Sequence, residues 1–383
     1  MTLRCQPFIP GYPLVTVLAT LSPAGRRRAA IVTGMVPEDD SLRGVTHRYV
    51  DARGLRMHIA EAGSGPLVLL LHGFPESWYS WRHQLTALAA AGFHAVAPDQ
   101  RGYCRTGPPE SVGGAAATAA DYTILHLAGD VIALMDALGE QSAVVAGHDW
   151  GAPVAWHTAL LRPDRIRGVI GLSVPYRPRG STPPVAAMRA AFGDGFYMVY
   201  FQQPGMADAE LAADPAATFR RLLTATSGGA AGESAGIPVV PPGGGFLDLC
   251  PEPAALPGWL SGADIDAFAA QYAGTGFTGP LNWYRNLDRN WELTGAWHHA
   301  PVLVPALYLV GDRDLVLAFS GGPQSLRQLR DFAPRLREPV LLPGCGHWTQ
   351  QERPAEVSAA MIGFLRELPG QEPGHGRGDA GAG

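Results

Sequence analysis

The feature that most constrains this chain is an apolar run that ends in the pattern small-x-Asp-x-small and continues into a helical pattern. Residues 144–152 read Val-Val-Ala-Gly-His-Asp-Trp-Gly-Ala. The pattern predicts a buried strand that turns sharply into a helix, with glycines where a side chain would clash. Asp149 occupies the exposed tip, where a carboxylate can attack carbon and form an ester with the enzyme. The alternative is that Asp149 only caps the helix.

Length and composition indicate a globular protein with a large core. The chain has 383 residues, of which 46% are hydrophobic, and a formal net charge of -5. No basic patch indicates a nucleic-acid partner, and the apolar run at residues 14–21 is too short to span a bilayer. The four cysteines are scattered, without metal-binding or disulfide spacing. We therefore expect a cytoplasmic protein with no metal, no membrane and no nucleic acid among its partners.

Short apolar runs alternate with helical patterns through most of the chain, which predicts an α/β fold with a mostly parallel, eight-stranded sheet flanked by helices. The predicted strands cover residues 46–50, 56–62, 67–71, 93–97, 143–146, 169–173, 304–310 and 340–342.

The alternation stops in the middle of the chain, where helical patterns cover residues 186–201, 209–226 and 263–272. This predicts a helical cap inserted into the sheet domain. The expected parts are a poorly ordered N-terminal extension (1–40), a first core segment (41–176), the cap (177–297), a second core segment (298–368) and a disordered tail (369–383).

Three side chains with catalytic chemistry each follow a predicted strand, in the order Asp149, Asp314, His347. The carboxyl ends of parallel strands meet at one edge of the sheet, so these side chains are expected to lie together. Nucleophile, acid, histidine is the order that this kind of sheet uses, with the histidine as general base and the acid fixing its tautomer. Asp312 competes with Asp314 for the role of the acid.

Two backbone amides are candidates for an oxyanion hole. Trp150 follows the nucleophile, and Phe74 lies in the loop after an earlier strand. An amide at either position can donate a hydrogen bond to an oxyanion formed on Asp149.

Four motifs occur in a specific order: HGFPESWYSW at residues 72–81, GHDWG at 147–151, NWYRN at 282–286 and GHWTQ at 346–350. With them the chain resembles the epoxide hydrolases of the α/β-hydrolase fold. The closest likeness is to the hydrolase domain of the soluble epoxide hydrolases, over roughly residues 45–366.

The resemblance implies two cap tyrosines that bind and protonate the epoxide oxygen, with phenol pKa values near the usual value of about 10. Tyr284, in NWYRN, matches one of them, and Tyr197 matches the other, with Tyr200 as its rival. Asp314 matches the acid of the family.

Side chains beside the expected active site are predicted to contact the substrate. They are Phe74, Trp150 and Trp348, together with the two tyrosines. Pro75 resembles a family proline that often follows a cis peptide bond.

The implied function is detoxification of a small apolar epoxide, which reacts with water and leaves as a vicinal diol after passing through an Asp149 ester. His347, oriented by Asp314, would activate the water, with no cofactor or metal. A homodimer is the expected assembly. A haloalkane dehalogenase is the alternative enzyme, although Phe74 offers no side-chain donor for a halide and the tyrosines have no role in that chemistry. A third alternative is a member that binds a ligand without turning it over.

Overall fold

Eight strands in the described part of the chain form one sheet, in the order β1-β2-β4-β3-β5-β6-β7-β8. The strands are β1 Thr46–Ala52, β2 Leu55–Ala62, β3 Leu67–Leu71, β4 His94–Pro98, β5 Ala143–His148, β6 Ile166–Leu172, β7 Ala306–Gly311 and β8 Val340–Leu342. The pairs β1–β2 and β2–β4 are antiparallel, and the other five pairs are parallel. The predicted mostly parallel, eight-stranded sheet is therefore confirmed.

The computed structural model describes residues 42–109, 116–229, 237–319 and 322–369. These residues belong to one compact unit. The predicted N-terminal extension (1–40) and all but Pro369 of the predicted tail lie outside the described residues. Within the described residues, no helix combines the length and the apolar character needed to cross a bilayer.

The central strands are buried on both faces, as expected of a parallel sheet covered by helices. Every residue of β3 and β5 is buried. Leu71 pairs with Gly147 across β3 and β5, and Leu172 pairs with Leu309 across β6 and β7. Because these strands run in the same direction, the loops that follow them emerge at one edge of the sheet, and the candidate site lies at that edge.

Fourteen α-helices occur in the described residues. They are α1 Arg82–Ala90, α2 Ile124–Ala137, α3 Gly151–Leu161, α4 Pro184–Phe192, α5 Tyr197–Tyr200, α6 Met206–Ala213, α7 Pro215–Ala225, α8 Gly262–Tyr272, α9 Thr278–Arg285, α10 Leu287–Leu293, α11 Leu315–Phe319, α12 Pro323–Phe332, α13 Thr349–Glu352 and α14 Pro354–Arg366. Helices α4 to α10 lie between β6 and β7 in the chain, in the segment where the sequence predicts a cap.

Two predicted cap helices are each broken in two. Helix α4 ends where Gly193 adopts a φ of +84°, a left-handed conformation that glycine tolerates best. Helix α7 begins at Pro215, which has no N–H to continue the preceding helix, and the Asp214 side chain caps it by accepting from the Ala217 amide at 2.9 Å. The helical patterns over residues 186–201 and 209–226 predict one continuous helix in each range, so the two breaks correct that prediction.

Direct hydrogen bonds join helices α8 and α9 to the loops that follow β3 and β4. The indole of Trp283 donates to the Arg101 carbonyl at 3.1 Å, and the Tyr272 hydroxyl donates to the Glu76 carbonyl at 2.8 Å. The peptide bond between Phe74 and Pro75 is cis, as the resemblance predicted.

Candidate active site

Asp149 lies in a strained turn between β5 and α3, with a φ of +49°. The two neighbouring glycines are required by close backbone contacts. A Cβ atom on Gly147 would lie 2.0 Å from the Gly151 carbonyl oxygen, and one on Gly151 would lie 2.0 Å from the Leu71 carbonyl oxygen. The strand and helix therefore approach closely enough to hold the Asp149 carboxylate at the carboxyl end of the sheet.

The two carboxylate oxygens of Asp149 have different partners. Oδ1 accepts a hydrogen bond from the Phe74 amide at 2.7 Å, and Oδ2 lies 3.4 Å from Nε2 of His347. Burial alone would raise the pKa of Asp149, but the hydrogen bond and charge of His347 and the Phe74 amide outweigh burial and lower it. The carboxylate is therefore ionised at neutral pH, with Oδ2 available to attack.

His347 also contacts Asp314, the predicted acid. Nδ1 of His347 lies 3.1 Å from Oδ1 of Asp314, which also accepts from the Val316 amide at 2.9 Å. Burial would lower the pKa of His347, but Asp314 and Asp149 together raise it well above 6.5. Asp312, the rival acid, instead accepts from the Gly344 amide at 2.7 Å.

Tyr197 and Tyr284 line the same cavity as Asp149, with ring centroids 6.1 Å apart. Burial raises the pKa of both phenols, and the charge of Asp149 raises it further. The phenols are therefore weaker acids than a free tyrosine, contrary to the expected pKa near 10. Tyr200 has a different partner, because its hydroxyl donates to Glu210 Oε2 at 3.1 Å.

The cavity has a volume of about 350 Å³ and a mostly apolar wall. This size is in the range of small-molecule sites. Its wall includes Trp150, but neither Phe74 nor Trp348, both predicted to contact the substrate. The Phe74 ring packs edge-on against Tyr284 with centroids 5.4 Å apart, and the Trp348 indole donates to the Leu223 carbonyl at 2.9 Å. Both side chains are thus used in packing.

Of the two predicted oxyanion-hole amides, Phe74 has a hydrogen bond to Asp149 in the structure. Trp150 immediately precedes α3, so its amide belongs to the N-terminal end of a helix. Such amides favour negative charge. Its part in an oxyanion hole stays a prediction.

A buried network behind Asp149 was not predicted from the sequence. Glu76 Oε2 lies 2.8 Å from Nδ1 of His148, and Glu76 Oε1 accepts from the side-chain amides of Gln350 and Gln351 at 3.1 and 3.0 Å. Nε2 of His148 lies 2.7 Å from the His347 carbonyl oxygen, so it must donate there. The network therefore supports the loop that carries His347. Glu76 lies inside the motif at residues 72–81, but the sequence gives no signal that its carboxylate is buried.

Among the residues that the structure describes, no three His, Cys, Asp or Glu side chains are grouped as metal ligands would be. Three described cysteines, Cys104, Cys250 and Cys345, are buried free thiols.

Comparisons with known proteins identify the family of this chain. The family described as alpha/beta hydrolase fold matches residues 66–354. The chain is 47% identical over 330 residues to epoxide hydrolase A of Mycobacterium tuberculosis, covering 84% of this chain and 98% of that protein. It is 35% identical over 365 residues to bifunctional epoxide hydrolase 2 of Mus musculus, covering 92% of this chain and 62% of that protein.

A solved structure gives the same result. The epoxide hydrolase from an endophytic Streptomyces matches with a TM-score of 0.79 and 44% sequence identity, covering 85% of this chain and 96% of that one. Sequence and structure are thus similar to the same group of proteins.

Proposed function

Since this chain belongs to the epoxide hydrolases of the α/β-hydrolase fold, we propose that it converts an epoxide to a vicinal diol through a covalent ester of Asp149. The observation that supports this most is the environment of the Asp149 carboxylate. One of its oxygens accepts from the Phe74 amide, the other faces Nε2 of His347, and two phenols line the same cavity.

In the first step, Oδ2 of Asp149 attacks one ring carbon of the epoxide. A carbon–oxygen bond of the ring breaks, and its electron pair goes to the epoxide oxygen. That oxygen takes a proton from the phenol of Tyr197 or Tyr284, while the other phenol donates a hydrogen bond. The raised pKa of both phenols keeps them protonated before the reaction. Ester formation removes the Asp149 charge and so lowers the pKa of the phenol that must ionise.

In the second step, water attacks the carbonyl carbon of the ester. His347 takes a proton from the water, and the oxyanion is stabilised by the amides of Phe74 and Trp150. The intermediate collapses, and the alkoxide leaves with the proton from His347. The proton left on the Asp149 carboxyl group returns to the ionised tyrosine, so that one epoxide and one water give one diol.

His347→Gln tests the proposal, because it should allow the first step and block the second. We expect the mass of the Asp149 peptide to rise by the mass of the epoxide after reaction, and wild-type turnover in ¹⁸O-water to label Asp149. Asp149→Ala should abolish both turnover and adduct. His126→Gln is the matched control. The His126 side chain is exposed, and its hydrogen-bond partner is Thr123 rather than Asp149 or Asp314. Turnover by Asp149→Ala, or an unlabelled Asp149, would rule out the ester.

The comparisons do not favour the dehalogenase alternative, because the relatives reported above are epoxide hydrolases. We further propose that the enzyme detoxifies apolar epoxides, since the cavity wall is mostly apolar.

The proposal also covers the domain organisation and the cellular location of the protein. We propose that residues 41–176 and 298–368 form the catalytic core and that residues 177–297 form the cap. The buried free thiols favour the cytoplasm, where thiols stay reduced. A homodimer stays a prediction that light scattering of the purified protein tests directly.

A further inference from the structure

Ser173 directly follows β6 at the apex of a tight turn. Its φ is +68°, and the Val174 amide donates to the Leu172 carbonyl at 2.8 Å. These features define the less common type of γ-turn, which is strained for a residue with a side chain. Strain of this kind persists only where the surroundings enforce it, and it is enriched at functional sites.

The neighbouring strand β7 holds Ser173 in this conformation. The Tyr308 hydroxyl donates to the Ser173 carbonyl at 2.6 Å, and the Ser173 amide donates to the Leu309 carbonyl at 2.9 Å. Ser173 and Tyr308 are both completely buried. With its amide and carbonyl both fixed, the direction of the Ser173 side chain is set by the backbone.

The Ser173 hydroxyl is directed at the histidine of the active site. Its Oγ lies 3.0 Å from Nδ1 of His347, as close as Oδ1 of Asp314 at 3.1 Å. The N–H at Nδ1 therefore has two acceptors. Burial would raise the pKa of Asp314, but His347 and, after it, a hydrogen bond from the Ser173 hydroxyl lower it. The Ser173 hydroxyl thus accepts a hydrogen bond from Nδ1 of the imidazole.

We infer that Ser173, clamped by Tyr308, is a positioning residue that holds the His347 ring for the hydrolysis of the ester. The inference rests on the proposed function and deepens it. Ring opening uses Asp149 and the tyrosines, whereas His347 acts as a base only in the second step. Removing the Ser173 hydroxyl should therefore affect the hydrolysis of the ester and not its formation.

Ser173→Ala is the direct test, because it removes the hydroxyl and keeps the Cβ atom. A net hydrogen bond is worth roughly a factor of ten in rate. We expect ester hydrolysis to slow about tenfold, ester formation to stay within about twofold of wild type, and the ester to accumulate. Quenched single-turnover reactions followed by intact-protein mass spectrometry give both rates.

The pH profile separates positioning from a general structural defect. The ionisable side chains that face His347 are Asp149, Asp314 and His148, the last with ring centroids 4.9 Å apart, and all remain in the variant. Losing an acceptor at Nδ1 destabilises the imidazolium. In the pH–rate profile of ester hydrolysis, the acidic limb should therefore move to lower pH. A general structural defect would instead lower the rate by the same factor at every pH.

Two further variants keep the inference testable if Ser173→Ala is unstable. Ser173→Gly tolerates the positive φ and also lacks the hydroxyl, so it should reproduce the selective slowing. Tyr308→Phe removes the hydrogen bond to the Ser173 carbonyl but leaves the Ser173 hydroxyl in place. It should therefore slow ester hydrolysis by a smaller factor than Ser173→Ala does. Thermal unfolding midpoints establish that each variant is folded.

The outcomes are distinguishable from failure of the proposed function. If the wild-type enzyme forms no covalent ester, the proposed function fails. If the ester forms and hydrolyses at wild-type rates in both Ser173 variants, or if both steps slow equally without a pH shift, the role of Ser173 is contradicted and the proposed function stands.

Discussion

The Nε2 atom of His347 lies 3.4 Å from Oδ2 of Asp149, so the proposed base of the second step contacts the proposed nucleophile of the first. Asp314 holds the other side of the same ring. Both carboxylates raise the pKa of His347 against the effect of burial. Once Asp149 is esterified, its charge is gone and the pKa of His347 falls. In the proposed reaction, the neutral form of His347, which can act as a base, is therefore favoured after Asp149 has reacted.

The first prediction is that Asp149→Asn lowers the pKa of His347, because the amide carries no charge. An NMR titration of the imidazole measures this shift. Because the folded-state pKa lies above the usual 6.5, His347 contributes stability that is fully present below 6.5 and lost as pH rises through the folded value. The free energy of unfolding should therefore fall less steeply above pH 6.5 in Asp149→Asn than in wild type. Identical titration curves in the two proteins would contradict the coupling.

The second prediction concerns the two cavity tyrosines. Tyr197→Phe and Tyr284→Phe should each slow ester formation by roughly 10- to 100-fold, because a hydrogen bond to developing charge is worth about 1.5–3 kcal/mol. Ester hydrolysis should change little. Tyr200→Phe is the matched control, since its hydroxyl bonds to Glu210. Stopped-flow fluorescence, with Trp150 beside Tyr284, reports ester formation. A rate loss in Tyr200→Phe equal to that in Tyr197→Phe would reverse the assignment.

The third prediction is that Glu76→Gln destabilises the fold strongly. Removing one partner of a buried hydrogen bond typically costs about 1–3 kcal/mol for each polar group that is left unsatisfied, and Glu76 has several such partners. Here His148 would keep its contact with the His347 carbonyl but lose a carboxylate partner. Urea denaturation measures the change. Asp164→Asn should have no measurable effect, since its ion pair with Arg162 is exposed. Equal stability of the two variants would refute a structural role for Glu76.

The sequence was sufficient to predict the sheet and the triad candidates, because those features repeat a local pattern. Asp149, Asp314 and His347 each follow a strand, and the ends of parallel strands meet wherever the chain forms such a sheet. The strand ends themselves are marked by apolar runs that stop abruptly.

Long-range contacts could not be predicted in the same way. Tyr197 and Tyr200 lie on one short helix, but Tyr197 lines the cavity, whereas the Tyr200 hydroxyl donates to Glu210. Ser173 contacts a histidine 174 positions later in the chain. The contact depends on a γ-turn, which no residue type in the sequence predicts. Ser173 does directly follow a strand, as the three triad candidates follow theirs.

The last prediction tests the close approach of strand and helix around Asp149. In Gly151→Ala, the new Cβ atom would lie 2.0 Å from the Leu71 carbonyl oxygen, which is backbone and cannot rotate away. Either β3 or α3 must shift, so we expect a loss of about 1–3 kcal/mol in the free energy of unfolding. Ester formation should also slow, because β3 leads into the Phe74 amide that bonds to Asp149.

Gly363→Ala provides the control, because a Cβ atom at that exposed position in α14 meets nothing within 4 Å. Alanine favours a helix over glycine by roughly 0.5–1 kcal/mol, so this variant should be more stable than wild type. Chemical denaturation of both variants, with the single-turnover rate of ester formation, gives the comparison. If Gly151→Ala matched Gly363→Ala in stability and rate, close packing would not be what holds Asp149 in place.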